Sequence, residues 1–160
     1  MEEASVCLNE VNMKAETRQS DNETQIRKLI DNLLEGQRSK DVDRSLDGYA
    51  KNVVAYDLVE PLQHVGIDGL RKRLDQWFSS WDGPISLEFE DMRIIATDEL
   101  AFCNGFHHVK GTTTSGEKIE MWWRTTLCLG KLNGAWEITH SHDSVPFDMN
   151  SQKASLDLKP

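Results

Sequence analysis

The sequence predicts an α+β fold, with three N-terminal helices packed on a strongly curved, mainly antiparallel sheet, and three observations predict it. Apolar residues first recur at helical spacing: Ile26, Leu29, Ile30, Leu33 and Leu34 form one stripe, and Ile67, Leu70, Leu74, Trp77, Phe78 and Trp81 form another. From Ile85 the period changes to two and holds over roughly 85–97, 99–111, 117–130 and 134–145. In the first of these segments Ile85, Leu87 and Phe89 are in phase while Met92 and Ile94 are one residue out. Such a slip marks a bulge near Glu90 and Asp91, and bulges bend sheets.

Residues 1–20 show no apolar periodicity and are rich in polar residues, so a flexible N-terminal arm is expected before a domain spanning 21–150 and a C-terminal tail over 151–160. Asn22 followed by Gln25 resembles a capping box and starts a helix that runs to about Ser39. Asp41 can cap a second, short helix carrying Val42, Leu46 and Tyr49. "NVVAYDLV" alternates as a strand, with Val53, Ala55 and Asp57 on one face. "EPLQHVG" reads as a turn and a short return strand, and "DGP" at 82–84 ends the third helix.

At 160 residues a single core suffices, burying about two-thirds of the unfolded chain's surface without cross-links. No apolar run approaches the roughly 20 residues that span a bilayer, and a formal charge of -9 with scattered Lys and Arg disfavours nucleic acid. Cys7, Cys103 and Cys128 are odd in number and lack CxxC spacing, and the acidic N-terminus is unlike a signal peptide. The expected setting is reduced and cytoplasmic. The sequon Asn22-Glu23-Thr24 then reads as part of the helix start.

The segment "EITHSHDSVPF" raises the chemical question. On a strand His140 and His142 share a face with Trp136 and Ile138, and they could act as proton-transfer groups, hydrogen-bond within the sheet, or clip a metal. Zinc needs further ligands, for which only Asp57 or His64 offers itself, so no metal is expected. Trp122 and Arg124 share one face of the neighbouring strand, and Met121, Trp123, Thr125 and Leu127 share the other. One face lines the interior and the other meets a second subunit. Trp122 and Arg124 are the candidate pocket residues, with Asn104, Phe106 and His108 in phase beside them and Trp77 and Phe78 as possible lining from the third helix. His107 points the opposite way and is the weaker candidate, and Trp81 reads as structural.

The words "NVVAYDLVEPLQHVGIDGLRKRL", "AFCNGFHHVKG", "MWWRTTLCLGKLNGAWEITHSHDSVPF" and "SLDLKP" resemble the NTF2-like superfamily, and within it the SnoaL-like, ketosteroid-isomerase-like proteins, over about residues 22–160. The resemblance implies a cone-shaped domain. It also carries one residue across: Tyr49, Asp57 and Gly66 reproduce the ketosteroid isomerase spacing around the general-base aspartate, which makes Asp57 the matching carboxylate. The first helix has no tyrosine to serve as oxyanion donor, and the position of that family's protonated aspartate falls near Arg124.

An apolar surrounding raises a carboxylate's pKa toward values useful for proton transfer, which suits Asp57 as a base; the alternative is a salt bridge to Arg124 or Arg71. The resulting expectation is a homodimeric, cofactor-free isomerase, dehydratase or cyclase acting on a hydrophobic carbonyl or hydroxyl compound. Asp57, His140 and His142 would move protons while Arg124 stabilises negative charge. The alternative is a non-catalytic ligand-binding or dimerisation module of the same fold.

Overall fold

The structure is a computed structural model that describes the backbone of residues 2–160 and the side chains from residue 17 onward. The elements run α1 (Glu2–Arg38), α2 (Val42–Leu46), β1 (Tyr49–Tyr56), β2 (His64–Val65), α3 (Ile67–Ser79), β3 (Trp81–Ala96), β4 (Leu100–Thr113), β5 (Lys118–Leu132), β6 (Ala135–Ser144), β7 (Phe147–Asp148) and β8 (Lys153–Ala154). The first six strands form one sheet in the order β2-β1-β6-β5-β4-β3, antiparallel throughout except where β1 runs parallel to β6. A small β7–β8 hairpin follows.

Helix α1 lays Ile26, Ile30, Leu33 and Leu34 into the main core, where they meet Phe78, Leu87, Leu127, Leu129, Trp136 and Ile138. Its C-terminus closes by a Schellman arrangement: Asp41 N–H donates to the Gly36 carbonyl (2.8 Å) and Lys40, at φ 56°, donates to Gln37 (3.2 Å). The Arg38 and Lys40 side chains then donate to the Leu87 and Trp81 carbonyls, 2.7 Å each, tying the helix to β3. Asp41 caps α2 as expected, accepting from the Arg44 N–H at 3.0 Å. The bulge near Glu90 and Asp91 is present: the β3–β4 register shifts there and Asp91 adopts φ 50°. Gly105 faces it, because a Cβ at that position would sit 2.6 Å from both the Glu90 carbonyl oxygen and the Phe89 ring.

Three local expectations are corrected. Asn22 lies inside α1 and caps nothing; it is buried, donating to the Thr97 carbonyl (2.9 Å) and accepting from Lys131 Nζ (3.0 Å). Tyr49 begins β1, since α2 ends at Leu46. Trp81 begins β3, and the segment Asp82-Gly83-Pro84 continues that strand. The arm expected over residues 1–20 falls largely on side chains outside the described residues. Among the described residues no helix is long and apolar enough to cross a membrane.

Candidate functional site

The concave face of the sheet and the three helices enclose a cavity of about 450 Å³. Leu33, Leu74, Trp77, Phe89, Met121 and Trp123 give it an apolar wall, and its size falls in the range of small-molecule sites. Val59 and Leu156, each about half exposed, contribute to its rim, and Ala154 brings the β7–β8 hairpin into the wall.

Polar groups enter this apolar space along one line. Thr125 on β5 donates its hydroxyl hydrogen to Asp143 Oδ1 on β6, and Thr125 Oγ1 lies 2.7 Å from His107 Nδ1 on β4. A hydroxyl has one hydrogen, so while Asp143 is ionised and takes it, His107 donates from Nδ1 and its Nε2 carries the lone pair. Among the described residues Nε2 has no hydrogen-bond partner, and His107 lines the cavity. The imidazole is held between Phe89, stacked at 4.5 Å, and Trp123, tilted at 5.1 Å. Burial there pushes its pKa down to about 3.

Asp143 is shifted the other way, up to about 7. Burial is the main cause and the Asp57 charge adds to it, while the Thr125 hydrogen bond, the Trp123 indole and Arg73 oppose it. The Trp123 indole nitrogen acts from just outside hydrogen-bond geometry, since it closes no bond itself. Tyr49 also lines the cavity; burial first, then Asp143 and Asp57, pushes its phenol well above the ordinary value, so its hydroxyl stays a donor. Tyr49 and Asp143 are both half-buried and line the cavity.

Asp57 also lines the cavity, immediately after β1. Its carboxylate is fully engaged: Arg73 on α3 forks onto both oxygens (Nε–Oδ2 2.6 Å, Nη2–Oδ1 3.3 Å), and the Leu58 N–H donates to Oδ1 at 2.6 Å. Both side chains are only 18% exposed. The ion-pair partner is therefore Arg73, not Arg124 or Arg71; Arg71 pairs with Asp43 at 2.8 Å.

The expected constellation of Asp57 with His140 and His142 does not form in the cavity. His140 donates Nδ1–H to the Val54 carbonyl (2.7 Å) and meets the Tyr56 ring edge-on at 4.8 Å; His142 is exposed, 5.5 Å from the same ring. Neither lines the cavity. The cause is a register shift: Leu129 pairs with Ile138 but Cys128 pairs with His140, so Thr139 is an extra residue on β6. Trp136 and Ile138 face the core, and beyond the bulge Ser141 and Asp143 face inward in place of the histidines.

On β4 and β5 the inner set is His107, Val109, Met121, Trp123, Thr125 and Leu127. Trp122, Arg124, Asn104, Phe106 and His108 alternate with them on the other face and do not line the cavity. His108 stacks on Trp122 at 3.9 Å and faces Glu120 (3.1 Å) and Glu90 (3.4 Å). Of the two candidates on α3, Trp77 lines the cavity and Phe78 is buried in the core. Trp81 lines it as well.

Asp143 and Arg73 shape the site, and neither is among the candidates the sequence offers. Arg73 shares the helical stripe of Leu70, Leu74 and Trp77, and a cation interrupting a core-facing stripe is a readable signal. For metal, Glu88, Glu90 and His108 on the outer face bring ligand atoms within 4.8 Å of one another. No comparable group lies in the cavity among the described residues.

The chain belongs to the SnoaL-like domain family, which it matches over residues 26–148. Its fold is NTF2-like. An NTF2-like protein of unknown function from Pseudomonas putida KT2440 is 28% identical with a TM-score of 0.81, over 88% of this chain and 98% of its own. A ketosteroid isomerase-like protein from Erwinia carotovora atroseptica SCRI1043 shares the fold at 17% identity (TM-score 0.65, 76% and 93% covered). So does the association domain of C. elegans CaMKII at 16% identity (TM-score 0.62, 79% and 98% covered). No curated protein matches significantly. The fold is thus shared by a ketosteroid isomerase-like protein and by an association domain.

Proposed function

We propose that the protein binds a flat, apolar small molecule bearing a carbonyl or hydroxyl in this cavity and moves a proton within it, as an isomerase, dehydratase or cyclase without a cofactor. The observation that carries this reading is a buried imidazole with an unpartnered ring nitrogen on the wall of an apolar cavity. His107 Nε2 meets the proton to be transferred, and the neutral Tyr49 hydroxyl donates to the substrate oxygen where negative charge develops. Trp77, Phe89 and Trp123 give the flat body of the substrate an aromatic wall. The Asp57–Arg73 pair fixes the end of β1 against α3 and serves as a positioning element. This replaces Asp57, His140 and His142 with His107 and Tyr49 as the groups that touch substrate.

The test is deuterium exchange. A panel of aromatic and alicyclic ketones is incubated with the protein in D2O, and α-carbon exchange or isomerisation is followed by NMR. The expected result is exchange with at least one class that falls by about 10²–10⁴ in His107→Gln and survives in His140→Ala. Equal rates in His107→Gln and wild type would end the reading.

A second reading concerns assembly. Ile95, Leu100, Phe102 and Leu132 leave between 41% and 68% of their area exposed. Such an apolar patch on an NTF2-like sheet supports the expected homodimer. Sedimentation showing a dimer that dissociates in Phe102→Lys supports it, and a monomeric wild type removes it.

A further inference from the structure

Resting on the proton-transfer reading of the cavity, we propose that the Thr125 hydroxyl makes His107 and Asp143 one relay, in which a proton accepted at His107 Nε2 is matched by one delivered to Asp143 while the imidazole stays neutral. Thr125 Oγ1 bonds both partners at once, accepting from His107 Nδ1–H at 2.7 Å and donating to Asp143 Oδ1. A hydroxyl placed between two such groups can reverse both bonds without moving a heavy atom. The step balances. A substrate C–H bond breaks and Nε2–H forms; Nδ1–H passes to Thr125 Oγ1; the Thr125 hydrogen passes to Asp143 Oδ1. The carboxylate becomes a neutral acid and the substrate an enolate, so one negative charge moves from Asp143 to the substrate. Reversal of the sequence onto another substrate carbon completes an isomerisation and restores the starting state.

The surroundings explain why a relay is needed. His107 is packed between Phe89 of β3 and Trp123 of β5, and its hydrogen-bond partner, Thr125, is neutral. Burial holds its pKa near 3, so an imidazolium is a poor resting place for the abstracted proton. Asp143 is faced by Asp57 from the end of β1, Tyr49 from its start, Arg73 from α3 and Trp123 from β5. Burial first, then the Asp57 charge, raise it to about 7 against the lowering pull of Thr125, Trp123 and Arg73, and there it takes up or gives back a proton at little cost near neutrality. Asp143 is thus the acceptor of the proton, and His107 the group through which it is reached. The imidazole contacts the substrate, and Thr125 and Asp143 act through it.

The relay predicts that the His107 tautomer follows the protonation of Asp143. With histidine labelled by 15N in the full chain, NMR should show Nε2 unprotonated and Nδ1 protonated above the Asp143 pKa of about 7, and the two exchanged below it. Thr125→Ser keeps the hydroxyl and should keep the exchange. Thr125→Val removes it, and the tautomer should no longer respond to pH through this range; Asp143→Asn should likewise abolish the response. A wild-type tautomer that stays constant through pH 7, or one that changes equally in Asp143→Asn, overturns the relay. If Thr125→Val fails to fold, the wild-type and Thr125→Ser titrations still decide the matter. These readouts need no substrate, so loss of the relay leaves the ketone exchange test standing, and failure of that test leaves the tautomer result interpretable.

Discussion

His107 and His108 are neighbours on β4, and nearly everything about them differs. His107 faces the cavity between two aromatic rings, with a neutral hydroxyl as partner, and is held uncharged. His108 faces the other side of the sheet, stacked on Trp122 with Glu90 and Glu120 at its two ring nitrogens. Both are less than a tenth exposed, so burial alone does not distinguish them. What does is strand parity, which sets one imidazole between two rings beside a neutral hydroxyl and the other between two carboxylates. In an alternating sheet a single step along the chain exchanges one kind of chemistry for the other.

The largest test of this contrast is catalytic. His107→Ala should lower turnover of a responsive ketone by about 10²–10⁴, whereas His108→Ala, His140→Ala and His142→Ala should remain within a few-fold of wild type. Initial rates measured across the four variants decide it, and a comparable loss in His142→Ala would erase the distinction between the faces.

Next comes pH. Asp143 has a folded-state pKa above its unfolded value of 3.8, so its contribution to stability is fully present below about pH 4 and is lost as pH rises through 7. His107 behaves in the opposite sense: its folded value lies below 6.5, so its contribution is present above that pH and lost on acidification toward 3. Asp143→Asn should therefore raise the melting temperature at pH 9 and lose most of that gain below pH 4. An equal gain at both pH values would show that the carboxyl is not held up as described. Because the ionised carboxylate receives the proton, turnover of a responsive ketone should also rise with pH through about 7.

Two smaller effects sharpen the account of how the inner face is built. Gly105→Ala should destabilise the fold by about 1–3 kcal/mol in urea titration, since the new methyl meets the Glu90 carbonyl and the Phe89 ring. Asp57→Ala and Arg73→Ala should each cost about 1–3 kcal/mol, and the double variant less than their sum. Additive losses would show that the pair does not act as a unit.

Much of the architecture was legible because apolar residues marked it. The period change at Ile85 announced the sheet, and the slip between Phe89 and Met92 announced the first bulge, since large apolar side chains stand on both sides of it. The second bulge, at Thr139, was invisible for the converse reason. Trp136, Ile138, His140 and His142 keep a period of two straight through it, and histidine is at home on either face. A period of two carried straight through puts His140 and His142 inward and Asp143 outward, the reverse of what the bulge produces. On β5 the inner face was the more apolar of the two, with Met121, Trp123, Leu127 and Leu129 against Trp122, Arg124, Thr126 and Cys128. That contrast marks His107, paired with Trp123, and not His108, paired with Trp122, as the inward imidazole. Trp81 continued a helical stripe by coincidence of spacing, and Tyr49 did the same for α2. Tertiary pairing decided both.

The β7–β8 hairpin sets Ala154 and Leu156 into the cavity wall, and Lys159 then reaches Glu120 on β5 at 3.5 Å. Anything fused after Pro160 would hang by only a few residues from that wall. Affinity handles for handling the protein therefore belong at the opposite terminus, and ligand screens run with a C-terminal fusion would be sampling an altered container.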